Sequence, residues 1–260
     1  MALIQPERDN RILELLRNQN VIRVERLASE LNVTQATIRT DLQRMTKKGL
    51  VRRVHGGAVL EKSFTSHEAP FILRKDSFIE EKRQIGRIAA EEIVDGQTVV
   101  LDNSTTVLEV AKNIKNIKSL IVITNSMHNA LELVDVEEIQ LILMGGMVER
   151  VEKCMVGPIA IKTLSQFYAD KVFIGIGGLS LEKGITDFGL AESEVRKLMI
   201  ESGKEIIAVA DSSKIGVISF VSTAPLHKIN KLITDWHIRQ DQCDALREQG
   251  IDVVVCKQPE

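Results

Sequence analysis

Near the amino terminus the apolar residues fall at helical spacing, and beyond residue 80 they gather into short runs separated by amphipathic stretches. Ile12, Leu13 and Leu16 share a face at i, i+1 and i+4, which predicts a helix over 8–18. Leu27 and Leu31, one turn apart, predict a second helix over 24–31, followed by a turn at Asn32-Val33. Thr34 is suited to cap a third helix over 35–48, its hydroxyl accepting from a first-turn amide. Ile38, Leu42 and Met45, at i, i+4 and i+7, must then face a core, and the opposite face presents Ala36, Arg39, Thr40, Gln43 and Lys47. Asp41 lies beside the core face, where a structural arginine partner is expected. Gly49 closes the helix as a C-cap. Two short strands, 50–54 and 58–60, are expected to join through His55-Gly56-Gly57, whose glycines permit positive φ and a close approach of backbone to a phosphate.

From residue 81 the period alternates. Strands are expected over 98–101, 120–124, 140–144, 171–176, 205–210, 231–234 and 252–255. Helices are expected over 82–94, 105–114, 127–134, 158–167, 192–202 and 239–249. That alternation implies a mainly parallel sheet with helices on both faces. Residues 61–80 hold no period and read as a linker, with Ala69-Pro70-Phe71 and Arg74 able to dock on the second domain. The expected organisation is a winged helix-turn-helix over 1–60, a linker, and an α/β domain over 81–260.

Charge sharpens the division. Residues 1–60 carry 11 Lys/Arg against 6 Asp/Glu, and the remainder carries 23 against 30, so a net −2 conceals a basic module and an acidic one. The three cysteines, Cys154, Cys243 and Cys256, lack metal-ligand spacing and fit a reducing compartment. No long apolar run and no apolar leader occur, so a cytoplasmic protein with neither membrane span, metal nor cofactor is expected.

A helix-turn-helix with a basic wing suits the major groove of double-stranded DNA. Gln35, Thr37 and Arg39 are placed to meet base edges, and Lys47, Lys48, Arg52 and Arg53 to hold phosphates. Thr34, Thr40, Gln43, His55 and Gly57 complete the expected DNA-contacting set. In the second domain, ligands of such folds bind beyond the carboxyl ends of the strands. Five of those ends are small and polar: Asp102-Asn103-Ser104-Thr105-Thr106, Thr124-Asn125-Ser126, Met144-Gly145-Gly146, Gly175-Ile176-Gly177-Gly178 and Asp211-Ser212-Ser213-Lys214. The first runs into a helix, an arrangement that attracts anions, and the last ends in a lysine. A phosphorylated small molecule is the expected effector. Glu192 and Glu194 are the carboxylates expected near the ligand mouth, although first-turn glutamates equally suit a helix dipole. Neither a P-loop nor a dinucleotide GxGxxG is present.

The run Val33-Thr34-Gln35-Ala36-Thr37-Ile38-Arg39-Thr40-Asp41-Leu42, followed by Lys48-Gly49-Leu50-Val51-Arg52-Arg53-Val54-His55-Gly56-Gly57-Ala58, resembles the helix-turn-helix of DeoR-type bacterial transcriptional regulators. Family members commonly carry a second basic residue where this chain has Thr40. The likeness continues through Glu81-Lys82-Arg83, Asp102 to Thr106, Thr124-Asn125-Ser126, Gly145-Gly146, Val156-Gly157-Pro158 and Asp211 to Lys214. The sensor half of that family is similar to ribose-5-phosphate isomerase. The resemblance implies that Ser104, Thr105 and Thr106 hold a phosphate with Lys214, while Asp102 and Asn125 face sugar hydroxyls. Gly145, Gly175, Gly177 and Glu192 complete the expected effector set. The isomerase has acidic residues where this chain has Gly177-Gly178, which implies binding without turnover. The expectation is a repressor of a sugar or carbohydrate catabolic operon, assembled as a homo-oligomer (dimer or tetramer). The alternatives are a phosphosugar isomerase-like enzyme with an appended DNA module, and an architectural DNA-binding protein whose second domain only oligomerises.

Overall fold

The computed structural model describes residues 5–18, 22–47, 51–54, 56–60 and 68–259. Lys48, the Gly49 cap, His55 and residues 61–67 of the expected linker lie outside them. The chain divides into two compact units, Met1–Ala69 and Pro70–Glu260.

The first unit contains α1 (Gln5–Asn18), β1 (Ile22–Arg23), α2 (Val24–Glu30), α3 (Gln35–Lys47), β2 (Val51–Val54) and β3 (Gly57–Leu60). Its core is what the helical period requires: Ile12, Leu16, Leu27, Leu31, Ile38, Leu42 and Met45 are all buried. Val51 and Ala58 of the wing and Ile22 close it from the sheet side. β1 carries no pattern legible in the sequence; it pairs antiparallel with β3, giving the order β1-β3-β2. That strand corrects the reading of Gly57. The residue is buried opposite Arg23, and a Cβ there would lie 2.3 Å from the Ile22 carbonyl oxygen, so the glycine makes room for β1. Gly56, at φ +75°, supplies the left-handed turn.

Asp41 ties α3 to α1. Arg8 Nε donates to its carboxylate at 2.5 Å and Arg44 Nη2 at 2.9 Å, and Arg44 also pairs with Asp9 at 2.5 Å. Burial alone would raise the Asp41 pKa, but hydrogen bonds from Arg8 and Arg44 hold it below the usual carboxylate range.

The second unit opens with α4 (Phe71–Arg74) and α5 (Ile79–Glu91), so the chain is already helical within the expected linker. It continues with β4 (Thr98–Leu101), α6 (Thr105–Asn113), β5 (Leu120–Thr124), α7 (Met127–Leu133), β6 (Ile139–Leu143), the hairpin β7 (Met147–Glu149) and β8 (Cys154–Val156), and α8 (Pro158–Leu164). Then come β9 (Ala169–Ile174), β10 (Gly178–Ser180), β11 (Gly184–Asp187), α9 (Leu190–Ser202), β12 (Gly203–Val209), β13 (Val221–Ala224), β14 (Lys231–Thr234), α10 (Gln240–Glu248) and β15 (Asp252–Val255). Single 3-10 turns lie at Ser212–Lys214 and Leu226–Lys228.

The seven expected strands form one parallel sheet of order β15-β14-β12-β9-β4-β5-β6. Period-2 alternation divides their side chains between two cores. Val100, Val172, Ile206, Ala208 and Leu232 pack with Leu164, Val195, Met199 and Leu246 of α8, α9 and α10. Val99, Leu101, Val122, Phe173, Ile207 and Ile233 pack with Ile85, Val107, Val110 and Leu133 of α5, α6 and α7. From β4 the chain proceeds outward through β5 and β6, then returns to β9 on the other side of β4. The order reverses there, so the crevice beyond the β4 and β9 exits is where an open α/β sheet receives a ligand.

Candidate DNA interface and effector site

On α3 the side chains sort as the period demands. Gln35, Ala36, Arg39, Thr40 and Gln43 are exposed, and Thr37 is half-buried. Thr34 caps the helix, its Oγ1 accepting from the Thr37 amide at 3.1 Å. Arg39 Nη2 donates to Gln35 Oε1 at 3.1 Å, which braces the guanidinium along the exposed face. Thr40 Oγ1 donates back to the Ala36 carbonyl at 3.0 Å. Arg53 is exposed on β2, while Lys47 and Arg52 lie at the end of α3 and on β2.

In the second unit the sheet topology gathers the polar strand ends. Asp102, fully buried after β4, is occupied by protein groups. Its Oδ1 accepts from the Ser104 amide at 2.8 Å, and its Oδ2 from the Gly175 amide and from Arg196 Nε, both at 2.9 Å. Burial pushes its carboxyl above the ordinary range against the opposing pull of Arg196 and the two amides. Asp102 is therefore a bolt across the crevice floor, which corrects the expectation that it faces sugar hydroxyls. A Cβ on Gly175 would meet Ser104 Oγ at 2.3 Å, so the two strand exits touch at that point.

Arg196 was not found by sequence reasoning. The signal available was an arginine within the apolar stripe of α9, beside Val195, Met199 and Ile200. Its Nη1 pairs with Asp187 at 2.5 Å, and the two aspartates hold it charged although burial opposes the charge. Asp187 in turn accepts from the Gly177 amide at 3.1 Å and from Thr223 Oγ1 at 2.6 Å. The amides of Gly175 and Gly177 thus serve buried carboxylates, which corrects their placement as ligand contacts.

The rest of the expected set is placed at the other strand ends and helix starts. Ser104 caps α6, accepting from the Val107 amide at 3.0 Å, so its hydroxyl already has a structural task. The amides of Thr105 and Thr106 precede the first intrahelical bond, which runs from Leu108 to the Ser104 carbonyl. Asn125 is buried and donates to the Met155 carbonyl at 3.2 Å. Asn129, which sequence reasoning also missed, donates to the Asp102 carbonyl at 2.7 Å and to Thr124 Oγ1 at 3.2 Å, linking the β5 exit to the β4 exit. Gly145 is exposed beyond β6, beside Ile159 of α8. Lys214 stands 5.8 Å from the Phe188 ring, and Phe188 borders Gly177. The Glu192 carboxylate folds back over Gly189 at the start of α9, the position that a helix dipole favours. Glu194 is exposed on the same helix. A separate recess of about 470 Å³, lined by Leu181, Pro225, Leu226 and His227, lies by the entries of β14 and β15, away from these strand exits.

Among the described residues no cluster of three or more His, Cys, Asp or Glu is arranged to hold a metal. No described helix is long and apolar enough to cross a membrane.

Residues 8–64 match the DeoR-like helix-turn-helix domain and residues 77–236 match the DeoR C terminal sensor domain. The chain is similar along its length to the HTH-type transcriptional repressor GlcR of Bacillus subtilis, with 38% identity over 260 residues and 99% of both chains covered. It is 35% identical to the HTH-type transcriptional regulator GolR of Listeria innocua, covering 96% of this chain and 98% of that one. It is 30% identical to the glycerol-3-phosphate regulon repressor of Escherichia coli, covering 97% and 99%. Among solved structures, ribose 5-phosphate isomerase A from Methanocaldococcus jannaschii aligns at a TM-score of 0.39 and 16% identity over 52% of this chain and 53% of that one, too distant a match to carry an argument. Both matched domains and the end-to-end likeness to named regulators lead to one conclusion: the chain belongs to the DeoR family of DNA-binding transcriptional regulators, and it is a regulator, not an enzyme.

Proposed function

We propose that this regulator represses an operon for carbohydrate or polyol-phosphate use, and that a phosphate-bearing metabolite received beyond the β4, β5 and β12 exits governs its hold on DNA. One observation carries the reading: the polar ends of β4 and β9 meet at a topological switch point, where the Gly175 amide donates to the Asp102 carboxylate and α6 begins, and Lys214 follows β12, the neighbour of β9. In this reading the amides of Thr105 and Thr106 and the Lys214 ammonium receive the phosphate, and Asn125 receives hydroxyls. The name of the Escherichia coli relative, a glycerol-3-phosphate regulon repressor, supports a ligand of that class.

Gln35, Thr37 and Arg39 read bases, with Thr34, Thr40 and Gln43 on the same docking face. Lys47, Lys48, Arg52, Arg53 and His55 hold phosphates. Because one small module buries too little surface for selectivity, the working form is a homo-oligomer.

Fluorescence anisotropy with a duplex from upstream of the chain's own gene tests this. Affinity should fall steeply with added salt, and Arg39→Ala should lower it by about 10- to 100-fold. Titration with glycerol 3-phosphate and a series of hexose phosphates should shift the wild-type affinity and leave Lys214→Ala unmoved. Binding that ignores salt, or an affinity indifferent to every phosphate ester tried, overturns the respective half of the proposal.

A further inference from the structure

The chain arriving from the DNA-binding unit is fastened to the sensor before α5 begins. Phe71 is 1% exposed, and its ring stacks on His128, the second residue of α7. Arg74 forms an ion pair with Glu152, both side chains being about 15% exposed. Lys82 reaches back from α5, donating from Nζ to the carbonyls of Arg74 at 2.5 Å and Ser77 at 2.7 Å. The first two contacts join groups far apart in sequence, so they specify where residues 70–78 lie.

Glu152 belongs to the turn of the β7–β8 hairpin, where its amide donates to the Glu149 carboxylate at 2.6 Å. The hairpin is laced onto the β5 exit. Met155 donates to the Asn125 carbonyl at 2.8 Å, Asn125 Nδ2 returns a bond to the Met155 carbonyl, and Met127 donates to the Lys153 carbonyl at 2.9 Å. Ser126 bridges to Cys154. Asn125 Oδ1 is buried and accepts no hydrogen bond from the described residues. A donor arriving there would act on the same side chain that grips Met155.

We propose that α4 and the hairpin turn form a clasp, with Arg74–Glu152 and Phe71–His128 as its jaws, and that this clasp carries the state of the β5 exit to the chain that enters the DNA-binding unit. The proposal rests on the reading of the strand exits as an effector site. A closed clasp holds residues 70–78 against the sensor. An open one frees those residues as a tether of up to about 30 Å at full extension. In a multivalent assembly a longer tether lowers the effective concentration of a second reader on the same duplex. Arg74 and Glu152 thus act as positioning residues, through the hairpin they fasten.

Hydrogen exchange and DNA affinity, measured on the full chain for Arg74→Glu, Glu152→Arg and the doubly swapped protein, decide the matter. Each single variant should speed amide exchange over 70–78 by tenfold or more and change affinity for the upstream duplex at least fivefold, in one common direction. The swapped pair should return both to within twofold of wild type. Exchange in α9 and the fluorescence of Trp236 report whether the sensor is folded, and Arg74→Gln replaces any charge reversal that fails to fold. Faster exchange with unaltered DNA affinity overturns the coupling, and unaltered exchange overturns the clasp itself. Glycerol 3-phosphate is added to the wild type in parallel. If it moves neither quantity, the effector reading fails for that compound, while the comparison among variants still decides the clasp.

Discussion

Phe71 lies flat on His128, ring centroids 4.1 Å apart and planes 10° from parallel. Burial, with Lys75 and Lys153 adding repulsion, lowers the His128 pKa, so the stacked imidazole is neutral near pH 7. A depressed folded pKa means that the contribution is complete above the ordinary value near 6.5 and is lost as pH falls through the lowered one. Amide exchange over 70–78, corrected for intrinsic rates, should therefore rise as the pH is taken well below 6.5. His128→Phe keeps the stack and should remove that rise; a rise of equal size in the variant would exclude His128 as its source.

The Asp41 cluster makes the first unit acid-sensitive for a different reason. Its depressed carboxylate stabilises α3 fully above the unfolded value near pH 4 and progressively less as pH drops below it. Asp41→Ala should cost about 2–3 kcal/mol, below the usual figure for breaking a buried pair because Arg44 is partly exposed. Exchange protection across Gln35–Lys47 should fall in the variant at pH 7 while protection in the parallel sheet is retained. Undiminished protection of α3 would show that apolar packing alone orients the helix.

Arg196→Met tests the crevice floor. It leaves Asp102 and Asp187 buried without their shared cation, a loss of about 3–5 kcal/mol. Because Trp236 is the only tryptophan, denaturant unfolding followed by its fluorescence reports the sensor. Adding Asp102→Asn and Asp187→Asn to Arg196→Met should recover part of the loss, since neutral amides no longer demand a counter-charge. A triple variant no more stable than the single one would mean that Arg196 contributes through packing.

How much was legible depends on how local each signal is. In α3 the apolar spacing, the Thr34 cap and the exposed arginine all lie within a few turns, and each was readable in the sequence. The strands at 98–101, 120–124 and 231–234 are bounded by polar residues and emerge where expected, as does the strand at 252–255. The strand expected over 171–176 instead ends at Ile174, because the Gly175 amide turns to the Asp102 carboxylate and leaves the ladder. α5 begins at Ile79, ahead of the expected 82, from a left-handed Phe78 with none of the usual capping side chains to announce it. β1, with two residues, is too short to show a period, and the strands of the small sheet (Gly178–Ser180, Gly184–Asp187, Val221–Ala224) mix polar and small residues without an apolar run. The role of Asp102 depends on an arginine 94 positions later, and no spacing rule connects them.

Because one carboxylate fastens the exits of the two central strands, those exits cannot part without breaking a charged knot. If the proposed effector is received there, tuning to a new metabolite falls to residues such as Phe188 and Lys214, which can be exchanged without touching that knot. A lineage built this way can change what it answers to through few substitutions and keep the same foundation.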